Sequence, residues 1–196
     1  GNTTNGVLVS HDSDGDGTTE IFLEDFAGVA PVFNVSKASQ WVITSNTNLD
    51  TEGADDDIAG HIDLTNTIVS SNGVFNLELD ANGGTSDGNV TLGIFNNNNP
   101  AAVAEGGSYV EDLVIDGHTL TITGDGDATN GPANLSVEIN GLFQALVDSA
   151  AINDDIETDR DANGDTFELQ AVNNVTAAAD TTIDVNTGQA RIESTS

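Results

Sequence analysis

The chain contains no cysteine and no methionine, and among 196 residues it carries only three prolines and three cationic side chains, Lys37, Arg160 and Arg191. Without cysteine there is no disulfide framework, no thiolate nucleophile and no sulfur metal ligand. Each phosphate contact draws on a Lys or Arg, so nucleic acid is excluded as a main partner, and an anionic membrane surface with it. Aromatic residues make up 5% of the chain, with one Trp and one Tyr, too few for the stacked platforms of a sugar-binding groove. Trp41 alternates with apolar neighbours and is expected in the core. No apolar run reaches the length of a bilayer span, and no basic amphipathic helix is written, so membrane insertion is not expected. His11, His61 and His118 lie far apart with no H-x-H or H-E-x-x-H spacing, and there is no G-x-S-x-G elbow.

What the chain does have is acid. Thirty-three Asp and Glu give a formal charge of -30, and self-repulsion on that scale opposes compaction unless cations offset it. A hydrophobic content of 37% is nevertheless enough for a substantial core, so the chain is expected to fold. The excess of Asp over Glu also fits a saline setting, and 22 Asn argue against a hyperthermophile because asparagine is thermolabile.

Strand signals dominate. Phe75, Leu77 and Leu79 alternate with polar neighbours, and the same period of two recurs at Val90-Leu92-Ile94, Leu120-Ile122, Leu135-Val137-Ile139, Phe167-Leu169 and Ile183-Val185, each leaving one face for a core. Gly- and Asn-rich punctuation at Asn72-Gly73, Asn82-Gly83, Asp116-Gly117 and Asn140-Gly141 predicts turns. One stretch differs: Leu142, Phe143, Leu146, Val147, Ala150 and Ala151 fall at helical spacing behind Asn140, which predicts one short helix. About a dozen short strands with one helix predict an all-β fold, a β-sandwich or jelly roll, with a β-solenoid as the alternative. No fixed repeat period of 20 to 50 residues holds, which weighs against the solenoid. A single domain over 1–196 is expected, and 124–133 is the place for any boundary.

The most specific local pattern is Asp12-Ser13-Asp14-Gly15-Asp16-Gly17: three carboxylates alternate along a tight turn and form an oxygen cage suited to a hard cation. Thr18 would add a backbone carbonyl and Glu20 a side chain or a water, whereas Leu23 stands where a bidentate acid would close the set. Asp159-Arg160-Asp161-Ala162-Asn163-Gly164-Asp165 repeats the design, with Asp159, Asp161, Asn163 and Asp165 as acceptors. Glu168 stands two residues before Gln170, which fills the closing place. Both loops resemble the D-x-D-x-D-G calcium loops of dockerins and EF-hand-like repeats in secreted surface proteins. The resemblance covers about a dozen residues at each loop and implies bound calcium. Asp125, Asp127 and Asn130, and the triplet 55–57, are less complete versions.

These features predict a non-catalytic extracellular structural protein. The expected form is a calcium-stabilised subunit of a surface filament, sheath or surface layer. The alternatives are a module of a calcium-dependent adhesin or a secreted hydrolase or carbohydrate-binding domain. A polar start at Gly1 in a chain with no Met is what signal-peptide removal would leave, so a cell-surface location is expected. The expected partner is a second copy of the chain, joined by strand addition through residues 6–10, with pairing inside its own sheet as the other outcome for that segment.

Overall fold

The computed structural model describes residues 2–4, 6–11, 18–25, 32–34, 40–43, 45–51, 58–65, 67–71, 73–95, 109–124 and 137–194, with side chains at 41, 43 and from 45 onward. Among these the fold is all-β, with no helix. In chain order the strands are β1 (Asn2–Thr4), β2 (Gly6–His11), β3 (Thr18–Asp25), β4 (Val32–Asn34), β5 (Gln40–Ile43), β6 (Asn46–Asp50), β7 (His61–Asp63), β8 (Ile68–Ser71) and β9 (Leu77–Asp80). They continue as β10 (Asn89–Leu92), β11 (Ile94–Phe95), β12 (Leu113–Ile122), β13 (Val137–Glu138), β14 (Phe143–Ile152), β15 (Ile156–Glu157), β16 (Thr166–Ala177), β17 (Ile183–Asp184) and β18 (Gln189–Ser194).

Among the described strands, every pairing of β3 to β18 with one another is parallel and joins equivalent strands of successive turns, which is a β-solenoid. The order β3-β6-β9-β12 makes one column and β4-β7-β10-β12 a second. A separate six-stranded sheet, β5-β8-β11-β13-β15-β17, makes the third. In the later turns the first two columns fuse, because β12, β14 and β16 each run through both.

The core is the lumen of this coil, filled by ladders of apolar side chains in register. Leu49, Leu79, Ile115, Ala145 and Leu169 form one, and Ile62, Val90, Leu120 and Ala150 form another. Val69, Phe95, Val137 and Ile156 stack down the third column, and all of these residues are buried. Phe143 stacks on Phe167 with ring centroids 4.9 Å apart. Each large side chain so enclosed contributes about 1.5–3 kcal/mol relative to exposure. Trp41 packs against the core.

The β-solenoid replaces the expected sandwich, and its irregular turns explain why no period shows in the sequence. Leu49 pairs with Leu79, 30 residues on; Leu79 with Ile115, 36 on; Ile115 with Ala145, 30 on; Ala145 with Leu169, 24 on. The expected helix at 142–151 is the strand β14, and a break in phase produced its helical look. Phe143, Ala145 and Val147 are buried, the register shifts between Val147 and Ser149, and burial resumes at Ala150 and Ile152. A period of two with one skipped step places 143, 147 and 150 at helical spacing. Asp116-Gly117, predicted as a turn, lies inside β12, where Gly117 marks the same skip.

The antiparallel strands β1 and β2 lie against β4 and β3. Residues 6–11 are therefore paired within their own sheet. Of the suggested boundary at 124–133, residues 125–133 lie outside the described residues.

Candidate metal centre

The corner between β15 and β16 is built by Asp159–Asp165. Left-handed backbone at Asp159 (φ 55°), Ala162 (φ 61°) and Gly164 (φ 90°) folds it tightly, a conformation that costs a residue with a Cβ and suits glycine. Asp159 is buried and organises the loop. Its Oδ1 accepts the N–H groups of Gly164 at 2.8 Å and Asp165 at 3.1 Å. Its Oδ2 accepts the N–H of Thr187 at 2.9 Å and that residue's hydroxyl at 2.6 Å. One carboxylate thus pins its own loop and the corner of the next turn. The two corners are in contact, since a Cβ at Gly188 would collide with the carbonyl oxygen of Asp165.

Asp159, Asp161 and Asp165 each present a carboxylate oxygen within 4.8 Å of the others, a group that could hold a metal ion. The three are not equivalent. The Thr187 hydroxyl bond, aided by the Gly164, Asp165 and Thr187 amides and opposed by desolvation, holds the Asp159 carboxyl at about 2. A carboxylate has about four acceptor positions, and those of Asp159 are filled, so it supports a cation chiefly through its charge. Asp165 is pushed the other way, by desolvation first and then by repulsion from Asp161, Asp112 and Asp159. It has the most to gain from a cation. Asp161 is exposed and accepts the backbone N–H of Asn163 at 3.1 Å as well as that residue's side-chain amide.

The remaining candidates divide clearly. Asn163 borders the group through Asp161. Glu168 is outside it: it sits on β16 with its oxygens bonded by Gln144, Gln170 and Arg191. Thr18 and Glu20 lie on β3 with backbone alone described. Asp12, Asp14, Asp16, Asp125, Asp127, Asn130 and residues 55–57 lie outside the described residues.

Sequence reasoning missed Asp112 and Thr187. Asp112 accepts the N–H of Leu142 at 2.9 Å and flanks Gly141 opposite Asp165, at 2.6 and 3.4 Å from where a Gly141 Cβ would stand. No local pattern marks either residue; parallel register alone brings them to the loop. A second acidic feature, also invisible locally, is the in-register row Asp50, Asp80 and Asp116 on the outer face of β6, β9 and β12. Glu78 is raised by desolvation, although its side chain reaches solvent, and then by Asp80, Asp50 and Asp116. Asp80 and Asp116 are raised likewise, desolvation first.

Comparison with protein-family models, with curated proteins and with solved structures finds no match.

Proposed function

We propose that this chain is a non-catalytic, calcium-stabilised structural protein of a cell surface, which associates with copies of itself through the edges of its coil. The observation that carries the reading is the Asp159 loop: a carboxylate group of the kind that takes a hard cation sits where one turn is fastened to the next through Thr187. Calcium takes carboxylate and carbonyl oxygens in flexible geometry, and extracellular modules bind it at levels found outside cells. A cation there would relieve the repulsion at Asp165 and lock adjacent turns. Support for self-association comes from β2 and β18, each of which has one strand neighbour among the described strands. Such edges invite addition in a head-to-tail sense that propagates.

The test is a thermal melt in calcium, in EDTA, and in EDTA with molar sodium chloride. A site filled at 100-fold above its Kd adds about 2.7 kcal/mol, so EDTA lowers Tm, salt screening does not restore it, and Asp161→Asn reduces the calcium-dependent shift. An unchanged melt in EDTA would overturn the calcium reading. Negative-stain images showing only monomers in calcium would overturn self-association and leave calcium binding standing.

A further inference from the structure

The corner between β14 and β15 buries two adjacent carboxylates, Asp154 and Asp155, which are 1% and 4% exposed. Asp155 is accounted for. Its Oδ1 accepts the N–H of Thr182 in the next turn at 2.6 Å, and its carbonyl accepts the N–H of Val137 in the previous one at 3.3 Å. Asp154 is not. Its Oδ1 accepts the N–H of Asp155 at 2.8 Å, while Oδ2 is buried without a hydrogen-bond partner. One turn on, the hydroxyl oxygen of Thr181 is buried and equally bare. Ile156 pairs with Ile183, and Asp154 and Thr181 each stand two residues ahead of that pair. Their neighbours are joined across the turn, since the Thr182 N–H donates to Asp155 Oδ1, which sets Asp154 and Thr181 at adjoining corners of consecutive turns.

A buried carboxylate with a bare oxygen calls for a cation, a proton or a water. The guanidinium of Arg160 is engaged by Glu138, Glu157 and Tyr109, and that of Arg191 by Glu168 and Glu193. A carboxylate and a hydroxyl, in the field of a second carboxylate, form an oxygen set that suits a hard cation. We propose that Asp154 Oδ2 and Thr181 Oγ1 hold a calcium ion between consecutive turns, at a site separate from the Asp159 group.

The test is calorimetric titration of the full chain with calcium chloride, with thermal melts alongside. Asp154→Asn should lower the stoichiometry by one ion, independently of any loss in Asp161→Asn. In EDTA this variant should melt at or above the wild type because an unpaired buried charge is gone, whereas in calcium it should melt below it. Thr181→Val should keep the stoichiometry and weaken one binding step several-fold. Unchanged stoichiometry in Asp154→Asn, or a melt lowered equally in EDTA and in calcium, would overturn the site in favour of a water or a packing role. If Asp154→Asn does not fold, an unchanged titration of Thr181→Val overturns it. Loss of an ion in Asp154→Asn with none lost in Asp161→Asn would uphold this site and remove the Asp159 group as a calcium site.

Discussion

Two rows of carboxylates in this coil meet the same electrostatic problem differently. Parallel register sets Glu138 of β13 directly beside Glu157 of β15, as it sets Asp50 beside Asp80 and Asp80 beside Asp116. Like charges directly opposite one another on adjacent strands destabilise a sheet. The glutamate pair is braced: Arg160 reaches Glu138 at 3.0 Å and also pairs with Glu157. Its guanidinium lies 4.2 Å from the centre of the Tyr109 ring and donates to that residue's hydroxyl at 3.0 Å. Neither described guanidinium group bridges the aspartate row, since Arg160 and Arg191 are both committed elsewhere. Of the three cations in the chain, Arg160 stands between two carboxylates that keep little solvent contact, with Glu138 at 13%. Even the braced pair is not relaxed: desolvation raises Glu138 against the pull of Arg160.

The largest effect is expected from breaking the brace. Arg160→Met leaves two half-buried glutamates facing each other and removes the cover of Tyr109. The expected loss is about 2–3 kcal/mol, below the range for fully buried pairs because all three groups keep some solvent contact. Thermal melts at low ionic strength measure it, and adding Glu138→Gln and Glu157→Gln to Arg160→Met should recover most of the loss. A wild-type melt for Arg160→Met would show that the brace contributes nothing.

The aspartate row gives a smaller effect of opposite sign. Glu78, Asp80 and Asp116 have raised folded-state pKa values, so the folded chain binds protons more readily than the unfolded one there. Their contribution to stability rises as pH falls from neutral through the folded values and levels off below the unfolded ones. Asp159 runs the other way: its contribution is present above the ordinary value of 3.8 and is lost as pH falls through about 2. Without calcium and at low salt, stability should therefore peak in the mildly acidic range. Neutralising the row with Glu78→Gln, Asp80→Asn and Asp116→Asn should stabilise the chain at neutral pH by about 1 kcal/mol, and molar salt should reduce the part that comes from repulsion between the carboxylates. Melts across pH check both limbs. A triple variant with the wild-type pH profile would mean that the row is already neutralised by other means.

The sequence showed the strands whose alternation runs unbroken, such as Leu77-Glu78-Leu79 and Phe167-Glu168-Leu169, because a period of two is a local signal. It also showed the Asp159 loop, whose alternating carboxylates and glycine lie within seven residues. The coil itself was hidden, because each turn closes after a different number of residues and the phase break at Val147–Ser149 imitates a helix. What fastens the loop was hidden for the same reason. Thr187 lies 28 residues from Asp159 and reaches it only through the pairing of β15 with β17 and β16 with β18.

The smallest effect belongs to Arg191, and it decides whether burial sets the value of a bridging arginine. Like Arg160 it bridges two carboxylates, reaching Glu168 at 3.0 Å and Glu193 at 2.8 Å. Its neighbours hold its guanidinium above the ordinary value, Glu193 foremost through a hydrogen bond and charge. The geometry is as good as at Arg160, but the side chain is 56% exposed against 24%. Water and salt screen such a pair, and ordering two long side chains offsets most of what attraction remains. Arg191→Gln should therefore melt with the wild type at physiological salt. If it lost as much stability as Arg160→Met, the number of carboxylates bridged, and not the degree of their burial, would set the value of each cation in this chain.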